Sequence, residues 1–261
     1  MSILKIGISS RALFDLKDSH KIFKEKGIEE YAKYQRKNED NALKKGVAFA
    51  LVEKLLRMNK PKKKIVEVIL LSRNSSDTGL RIFNSIEKNN LDITASVSLA
   101  HITFSEKDIP EFDTNYKLIP PLRSESDLNS LKEGLVDGTL DYLTSMHEPF
   151  DIDNKKIIFD NASSGSIGLE SMFGLMSNQF TLEKTIDILT RKKIIFEVDD
   201  HPIEIGSLAD LSLFNPDKNY NFSENHILST SKNCAFIDSK HKGIVYGSIN
   251  GKNFSLNKLW T

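Results

Sequence analysis

The sequence is poor in several features, and each shortage excludes a class of protein. Its single cysteine, Cys234, rules out an internal disulfide and favours a reducing, cytoplasmic setting. Its 36 basic residues balance its 36 acidic residues, so no overall charge attracts nucleic acid or an anionic membrane. No apolar run reaches membrane-spanning length, and the first residues lead straight into a predicted strand, so no signal peptide is expected. We therefore expect a cytoplasmic protein that binds neither nucleic acid nor membranes.

The first third of the chain contains alternating strand and helix patterns. The apolar run Ile3–Ser9 predicts a short strand, and the β-branched run Ile65–Leu71 predicts a strand buried on both faces. Helices are predicted over three segments: Ser19–Asn41, Gly46–Met58 and Leu80–Asn89. The second helix is predicted to bury the face formed by Val47, Leu51, Leu55 and Met58. With a polar loop at Ser72–Gly79, this order indicates a Rossmann-like half-sheet.

Four phrases in this part of the chain suggest a family. They are ISSRALFDL (Ile8–Leu16), KIFKEKGIEEYAKYQ (Lys21–Gln35), GVAF (Gly46–Phe49) and VILLSRNSSDTGLRIFNSI (Val68–Ile86). Over Lys5–Ile93 the chain resembles the opening segment of the cytosolic 5′-nucleotidases, which are related to haloacid-dehalogenase-like phosphatases.

That resemblance implies magnesium-dependent chemistry that uses two aspartates. This segment lacks both aspartates. Where a nucleophile strand would deliver Asp-x-Asp, the predicted strand delivers Ser9-Ser10-Arg11, and the family's Asp-Gly-Asp motif is absent. Magnesium and an aspartyl-phosphate both require carboxylates there. Asp15 is the candidate that remains, although a helix-entry or turn role is favoured for it. Magnesium is therefore expected only if a nucleotidase activity survives.

The stretch Lys117–Phe150 is the centre of the remaining chain. Ser124–Gly138 has the spacing of a helix that ends at Gly138, and one face is formed by Leu128, Leu131 and Leu135. Asp141–Ser145 then predicts a short strand, whose end delivers Met146, His147 and Glu148. In a (β/α) barrel, that end of a strand carries the chemistry.

The C-terminal part has strand and turn patterns. Four strands are predicted, at His201–Gly206, Leu208–Asn215, Gly243–Asn250 and Lys252–Leu256. Asn250-Gly251 is a two-residue hairpin signal between the last two strands, and Pro216-Asp217 predicts a turn. Ahead of them, Thr181–Arg191 predicts a helix.

These regions contain a series of phrases in a consistent order: FDTNYK (Phe112–Lys117), IPPLR (Ile119–Arg123), EGLVDGTLD (Glu133–Asp141), FDNASSGSIGLES (Phe159–Ser171), HPIEIGSLADLSLFNP (His201–Pro216) and SKNCAFIDSKHKGIVYGSI (Ser231–Ile249). From His101 to Trp260 the chain resembles the dihydroorotases of the amidohydrolase superfamily, which open and close the dihydroorotate ring. The resemblance implies the C-terminal portion of a (β/α) barrel with an outlying β-sandwich. We therefore predict an α/β protein in three parts: a nucleotidase-like segment at 1–93, a partial barrel at 94–200 and a sandwich portion at 201–261.

Three positions at which that family carries out its chemistry hold apolar residues here. By the resemblance, Ile119 replaces a substrate-binding Asn, Met146 replaces the catalytic Asp, and Phe150 replaces a His that binds the substrate carboxylate. A thioether cannot accept a proton as a carboxylate does. We interpret these positions as degenerate and assign no catalytic residue.

Two polar candidates remain. His147 stands in the family's Asp-His pair, and the guanidinium of Arg123 is suited to holding an anion. A structural role is favoured for both, and also for His101. None of the six histidines forms a His-x-His pair, so no metal ligand is assigned. Zinc is expected only if a dihydroorotase activity survives, and otherwise no cofactor is expected.

Three hypotheses for the function stay open. The preferred one is a non-catalytic dihydroorotase-like protein linked to pyrimidine nucleotide metabolism. The resemblance implies that such degenerate forms serve as structural partners of aspartate carbamoyltransferase. The alternatives are an active hydrolase, either a 5′-nucleotidase or a dihydroorotase, and a fused gene product without an evolved joint function. A truncated barrel leaves strand edges uncovered, so we expect a homo-oligomer or a complex with that transferase.

Overall fold

The computed structural model describes residues 3–60, 63–71, 76–191, 193, 198 and 201–258. It divides into two compact units, Met1–Ala95 and Ser96–Thr261. The three-part division expected from the sequence stays a prediction. Among the described residues, no helix is both long and apolar enough to cross a membrane.

The first unit is a mixed α/β structure. Its elements are β1 (Leu4–Ser9), α1 (Ser10–Leu13), β2 (Phe14–Asp15), α2 (Lys17–Lys37), β3 (Lys44–Lys45), α3 (Phe49–Leu56), β4 (Val66–Leu71), α4 (Ser76–Lys88) and β5 (Ile93–Thr94). Strand β4 lies in the middle of a parallel sheet, between β1 and β5. Strands β2 and β3 form a short antiparallel pair. Parallel strands joined through helices agree with the predicted order, while the finer Rossmann-like assignment stays a prediction.

Strand β4 is buried on both faces only in its first half. Val66, Glu67 and Val68 are buried, whereas Leu71 is 62% exposed. The reason is the register, because β5 pairs only with Val68 and Ile69. The prediction of a fully buried strand is therefore wrong for its C-terminal end.

The helices of this unit differ from their predicted bounds. Helix α2 begins and ends earlier than expected, and Gly27 interrupts it with a φ of 80°. Helix α4 begins at Ser76, inside the predicted polar loop, since Asp77 and Thr78 are buried. The first part of that loop, 72–75, lies outside the described residues.

The buried face of α3 agrees with the predicted one only at Leu55, which packs against the core. Phe49 and Val52 lie in the core, whereas Val47 is 95% exposed and Leu51 is 59% exposed. The N–H groups of Gly46 and Ala48 donate to backbone carbonyls of α1, so the helix begins only at Phe49. Both faces carry apolar residues at helical spacing, and contacts with the sheet decide between them.

We expect Val52→Ala to lower the free energy of unfolding by about 2 kcal/mol, because it opens a cavity in a filled core. Leu51→Ala, one position earlier on the exposed face, is expected to change it by less than about 0.5 kcal/mol. Urea unfolding of the two variants measures both values. Equal losses would mean that the helix face has been assigned incorrectly.

The second unit contains helices, one parallel strand pair and one antiparallel sheet. Its elements are β6 (Ser96–Ser98), α5 (Glu125–Asp137), β7 (Tyr142–Thr144), α6 (Met172–Gln179), α7 (Leu182–Thr190), β8 (Asp210–Asn221), β9 (Lys240–Asn250) and β10 (Asn253–Leu256). Strands β6 and β7 are parallel neighbours, and β9 lies between β8 and β10. The described strands of the barrel region are these two, so the partial barrel stays a prediction.

Helix α5 has the predicted bounds because its end signals are local. Ser124 and Asp127 form a capping box at the N-terminus, which satisfies backbone N–H groups that lack a helical partner. Gly138 ends the helix with a φ of 92°, a left-handed conformation that favours glycine. Leu128 and Leu135 are buried, as the spacing predicts.

The C-terminal region corrects two predictions. Residues 201–206 form no strand, and Ile203 and Ile205 are fully or almost fully exposed, because no neighbouring described strand pairs with them. Pro216 and Asp217 lie within β8, at a register irregularity where the Asp217 N–H donates to the side chain of Asn215. The hairpin between β9 and β10 is confirmed, but its two turn residues are Gly251 and Lys252, because Asn250 pairs with Asn253. The described residues here form one three-stranded sheet and not two stacked sheets.

Candidate functional site

The site predicted from the sequence lies at the carboxyl ends of β6 and β7. Parallel pairing places Ser98 beside Thr144, so the residues that follow both strands meet at one edge. A small cavity opens there, and Ile119 and Met146 both line it. The structure therefore brings these two positions together, while their interpretation as degenerate catalytic positions stays a prediction.

The cavity is small and largely apolar. Its volume is about 10 Å³, which is the room that one water molecule needs. Leu118 and Phe236 line it beside Ile119 and Met146, and its titratable side chains are those of His101 and Glu148. Met146 has a φ of 45°, a left-handed conformation that Asp and Asn adopt more readily than Met.

His101 is held by both of its ring nitrogens. Nε2 lies 2.9 Å from the carbonyl oxygen of Pro120, to which it donates, and Nδ1 lies 2.6 Å from the hydroxyl of Ser98. The donation to a carbonyl places the proton on Nε2, so Nδ1 accepts from Ser98. Burial lowers the pKa of His101, which favours the neutral ring. The ring therefore ties the end of β6 to the Pro120 loop.

His147 does not line the cavity. Its Nδ1 accepts from the N–H of Leu169 at 3.3 Å and lies 3.9 Å from a carboxylate oxygen of Glu170. Its neighbours Met146 and Glu148 line the cavity, whereas His147 forms an isolated parallel bridge with Ser166. Its contacts are those of a positioning residue between two loops.

The other predicted residues also lie away from the cavity lining. Arg123 precedes the N-cap of α5, and its carbonyl accepts from the N–H of Glu106 at 2.7 Å. Phe150 packs on Gly165, where an added Cβ would lie 2.7 Å from its ring. In the first unit, Asp15 accepts from the N–H of Lys17 at 2.9 Å, at the entry to α2.

Sequence reasoning missed Lys155, which organises the loops around the cavity. It is 5% exposed, and its ammonium donates to the carbonyl oxygens of Thr114, Ser163 and Gly165 at 2.6, 2.8 and 2.9 Å. Burial lowers its pKa, while Asp113 acts against that shift. A lysine in a polar loop has no periodic signal, so only the path of the backbone reveals this role.

Asn233 is a second missed residue. Its amide donates to the carbonyl of Glu148 at 2.9 Å, and its side-chain oxygen accepts from the N–H of Phe150 at 3.1 Å. Its own carbonyl accepts from the N–H of Ile167 and from the hydroxyl of Ser166. These bonds fix the loop that carries Met146 against the 165–167 segment, beside the cavity.

The residues present do not fit the metals that the two families imply. No group of three or more His, Cys, Asp or Glu in the described part of the chain is arranged to hold an ion. Both nitrogens of His101 are engaged, and Met146 is a poor ligand for a hard site. In the first unit, Ser9 caps α1 through the N–H of Ala12, and Asp15 pairs with Lys17. Neither zinc nor magnesium finds a coordination shell in these residues.

Comparisons with known proteins give one family for the N-terminal part of the chain and another for the C-terminal part. The 5′-nucleotidase family model matches residues 1–109. The dihydroorotase of Listeria monocytogenes is 33% identical over 170 residues, covering 62% of this chain and 40% of that protein. The dihydroorotase of Bacillus pumilus is 33% identical over 169 residues, with the same coverage. The chain thus spans about 40% of the length of these relatives.

Solved structures agree on the fold. The L-hydantoinase (dihydropyrimidinase) of Arthrobacter aurescens matches with a TM-score of 0.65 and 17% identity, covering 97% of this chain and 57% of that one. The dihydroorotase of Saccharomyces cerevisiae, solved with 5-fluoroorotic acid, matches with a TM-score of 0.53 and 15% identity, covering 80% and 56%. The chain is therefore a mixed α/β protein with the fold of hydantoinase and dihydroorotase amidohydrolases, similar in sequence to the 5′-nucleotidase family at its N-terminus and to dihydroorotases over its C-terminal part.

Proposed function

We propose that the chain is a non-catalytic dihydroorotase-like protein that serves pyrimidine nucleotide metabolism as a structural partner. The observation that carries this proposal is the cavity at the ends of β6 and β7, about 10 Å³ in volume and lined by Ile119 and Met146. Sites for small organic ligands are usually roughly 300 Å³ or larger. A dihydroorotate ring has no room there.

The chemistry of the lining supports the same conclusion. Hydrolysis of a cyclic amide needs an activated water molecule and a group that takes up its proton. By the family resemblance Met146 replaces that group, and the thioether of Met146, which lines the cavity, cannot accept a proton. His101 uses both nitrogens to hold the loop together, so neither is available to a substrate. A small site whose histidine is used for loop contacts suits a structural role.

We expect the purified full chain, with added zinc, to neither open nor close the dihydroorotate ring at a measurable rate. Ultraviolet absorbance of the substrate checks this, with the dihydroorotase of Listeria monocytogenes as the active control. Turnover comparable with that control, and lost in His147→Ala, would overturn the proposal.

The hydrolase alternative also includes magnesium-dependent release of phosphate from nucleoside monophosphates. Activity of that kind, lost in Asp15→Asn, would favour the nucleotidase instead.

The partner proposed from the family resemblance is aspartate carbamoyltransferase. A structural partner binds the enzyme without contributing to its chemistry, so the complex should change the size or stability of the transferase. Co-purification of the tagged full chain with the transferase from the same organism tests this directly. A chain that binds no transferase and also unfolds without a cooperative transition would favour the fused gene product.

A further inference from the structure

A second cavity lies where β8 and β9 pair beside α6. The register places Tyr220 opposite His241 and Asn221 opposite Lys240. Asn178, in the last turn of α6, donates from its side chain to the carbonyl oxygen of Lys240 at 3.2 Å. The cavity is an open groove of about 470 Å³, and it shares no lining residue with the cavity at the ends of β6 and β7. Sites for small organic ligands commonly measure roughly 300–1,000 Å³. We call this cavity the asparagine groove.

The lining of the asparagine groove is polar throughout. It supplies three amides, one ammonium group, one phenol and one imidazole, from Asn178, Asn219, Asn221, Lys240, Tyr220 and His241. Among the described residues that line it there is no carboxylate and no aliphatic side chain. Amides both donate and accept hydrogen bonds, and an ammonium group attracts an anion. The lining therefore suits a ligand that carries a negative charge and several hydroxyl groups.

Several of these groups are available to a ligand. Within the described part of the chain, Lys240 has no ion-pair partner, and the side-chain amides of Asn219 and Asn221 have no hydrogen-bond partner. All three side chains are exposed. Asn178 uses one amide hydrogen on the carbonyl of Lys240, which leaves its second hydrogen and its oxygen. The groove thus offers a cation and amides without internal competition for them.

His241 gives an independent indication of a ligand. It is 1% exposed and is the buried member of the lining, so it forms the floor of the groove. Its Nδ1 donates to the carbonyl oxygen of Ser239, so Nε2 carries no proton and is an acceptor. Nε2 is buried, and no described residue donates to it. Because a buried acceptor without a partner is costly, this atom calls for a donor from outside the chain.

We propose that the asparagine groove binds a phosphorylated sugar. Lys240 attracts the phosphate, the amides of Asn219 and Asn221 bond to the sugar hydroxyls, and one hydroxyl donates to Nε2 of His241. A phosphate monoester carries nearly two negative charges at neutral pH. An exposed ammonium group therefore attracts it more strongly than it attracts a carboxylate. Neither an anion alone nor a sugar alone satisfies both the cation and the buried acceptor.

Isothermal titration calorimetry of the full chain tests the proposal with ribose 5-phosphate, ribose and inorganic phosphate as separate probes. Ribose 5-phosphate is expected to bind at least about tenfold more tightly than either of the others. Lys240→Met should raise its Kd at least about tenfold, because the charge that attracts the phosphate is gone. The matched control is Lys252→Met, which removes the same charge from the turn between β9 and β10, outside the groove. It should leave the Kd within about twofold of the wild type.

The nitrogen resonance of the His241 ring tests the hydroxyl contact. The chemical shift of an imidazole nitrogen changes when that nitrogen accepts a hydrogen bond, so ribose 5-phosphate should move the Nε2 resonance of His241. The resonance is assigned by its absence in His241→Phe. Four results would each overturn the proposal: no binding of ribose 5-phosphate up to about 10 mM, equal Kd values for ribose 5-phosphate and inorganic phosphate, equal Kd values in the two lysine variants, or an unmoved Nε2 resonance in the complex.

Discussion

Replacing Lys155 by methionine is expected to lower the free energy of unfolding by about 3–5 kcal/mol. The ammonium group is the shared donor for three carbonyl oxygens, from Thr114, Ser163 and Gly165. Methionine replaces the apolar stem of the side chain but supplies no donor. In the variant, each of these three carbonyl oxygens would lose its hydrogen bond to the ammonium group. The loss therefore exceeds that of an ordinary hydrogen bond.

The matched control is Lys156→Met, because Lys156 is the next residue and is exposed. Its replacement is expected to change the free energy of unfolding by less than about 0.5 kcal/mol. Guanidinium unfolding followed by circular dichroism measures both variants. Equal stability of the two would show that the carbonyls around Lys155 find other partners. A specific loss in Lys155→Met would show that these loops depend on one buried cation.

The elements that the sequence predicts well carry their signals locally. Helix α5 is the clearest case, because Ser124 and Asp127 begin it and Gly138 ends it within one stretch of chain. Helix α3 shows the opposite, since Leu51 and Val52 belong to two apolar faces of the same periodicity. Only the position of the sheet selects the buried face. For the same reason the alternation at 201–206 predicted a strand that has no described neighbour to pair with.

The candidate site likewise contains residues that the sequence pointed to and residues that only the structure reveals. Ile119 and Met146, which the family resemblance singled out, both line the cavity. Lys155 and Asn233 donate to backbone carbonyls of other loops. Some of these carbonyls lie far away in the sequence. No spacing rule links a lysine to a carbonyl that is 41 positions distant. The support of the site was therefore not predictable from residue types.

The stability of the chain is expected to fall in mild acid because of His241. This residue of β9 is 1% exposed, stacks on Phe222 with ring centroids 4.7 Å apart, and lies 5.3 Å from the ring of Tyr220. Its Nδ1 lies 3.2 Å from the carbonyl oxygen of Ser239, to which it donates. Burial, together with a smaller effect of the nearby His226, lowers the pKa of His241 to about 4, against the opposing effect of the Ser239 carbonyl.

The sign follows from the two end states. In the unfolded chain the imidazole has a pKa near 6.5, so it takes up a proton as the pH falls below that value. In the folded chain the ring stays neutral down to about pH 4. Between these values only the unfolded state binds this proton, so the free energy of unfolding decreases as the pH falls. The loss from this residue approaches roughly 3 kcal/mol near pH 4.

Unfolding in guanidinium at pH 7 and at about pH 4.5 measures this loss, and His241→Phe is the variant that isolates it. Phenylalanine keeps a ring between Phe222 and Gly174, where an added Cβ would lie 2.4 Å from the histidine ring. Carboxylates and His101 titrate in both proteins, so their contributions cancel in the comparison. The wild type is therefore expected to lose more stability than His241→Phe over this interval, whatever the variant's stability at neutral pH. If both proteins lose the same free energy of unfolding, His241 takes up its proton in the folded state as readily as in the unfolded state. The claim that its ring stays neutral when buried would then be wrong.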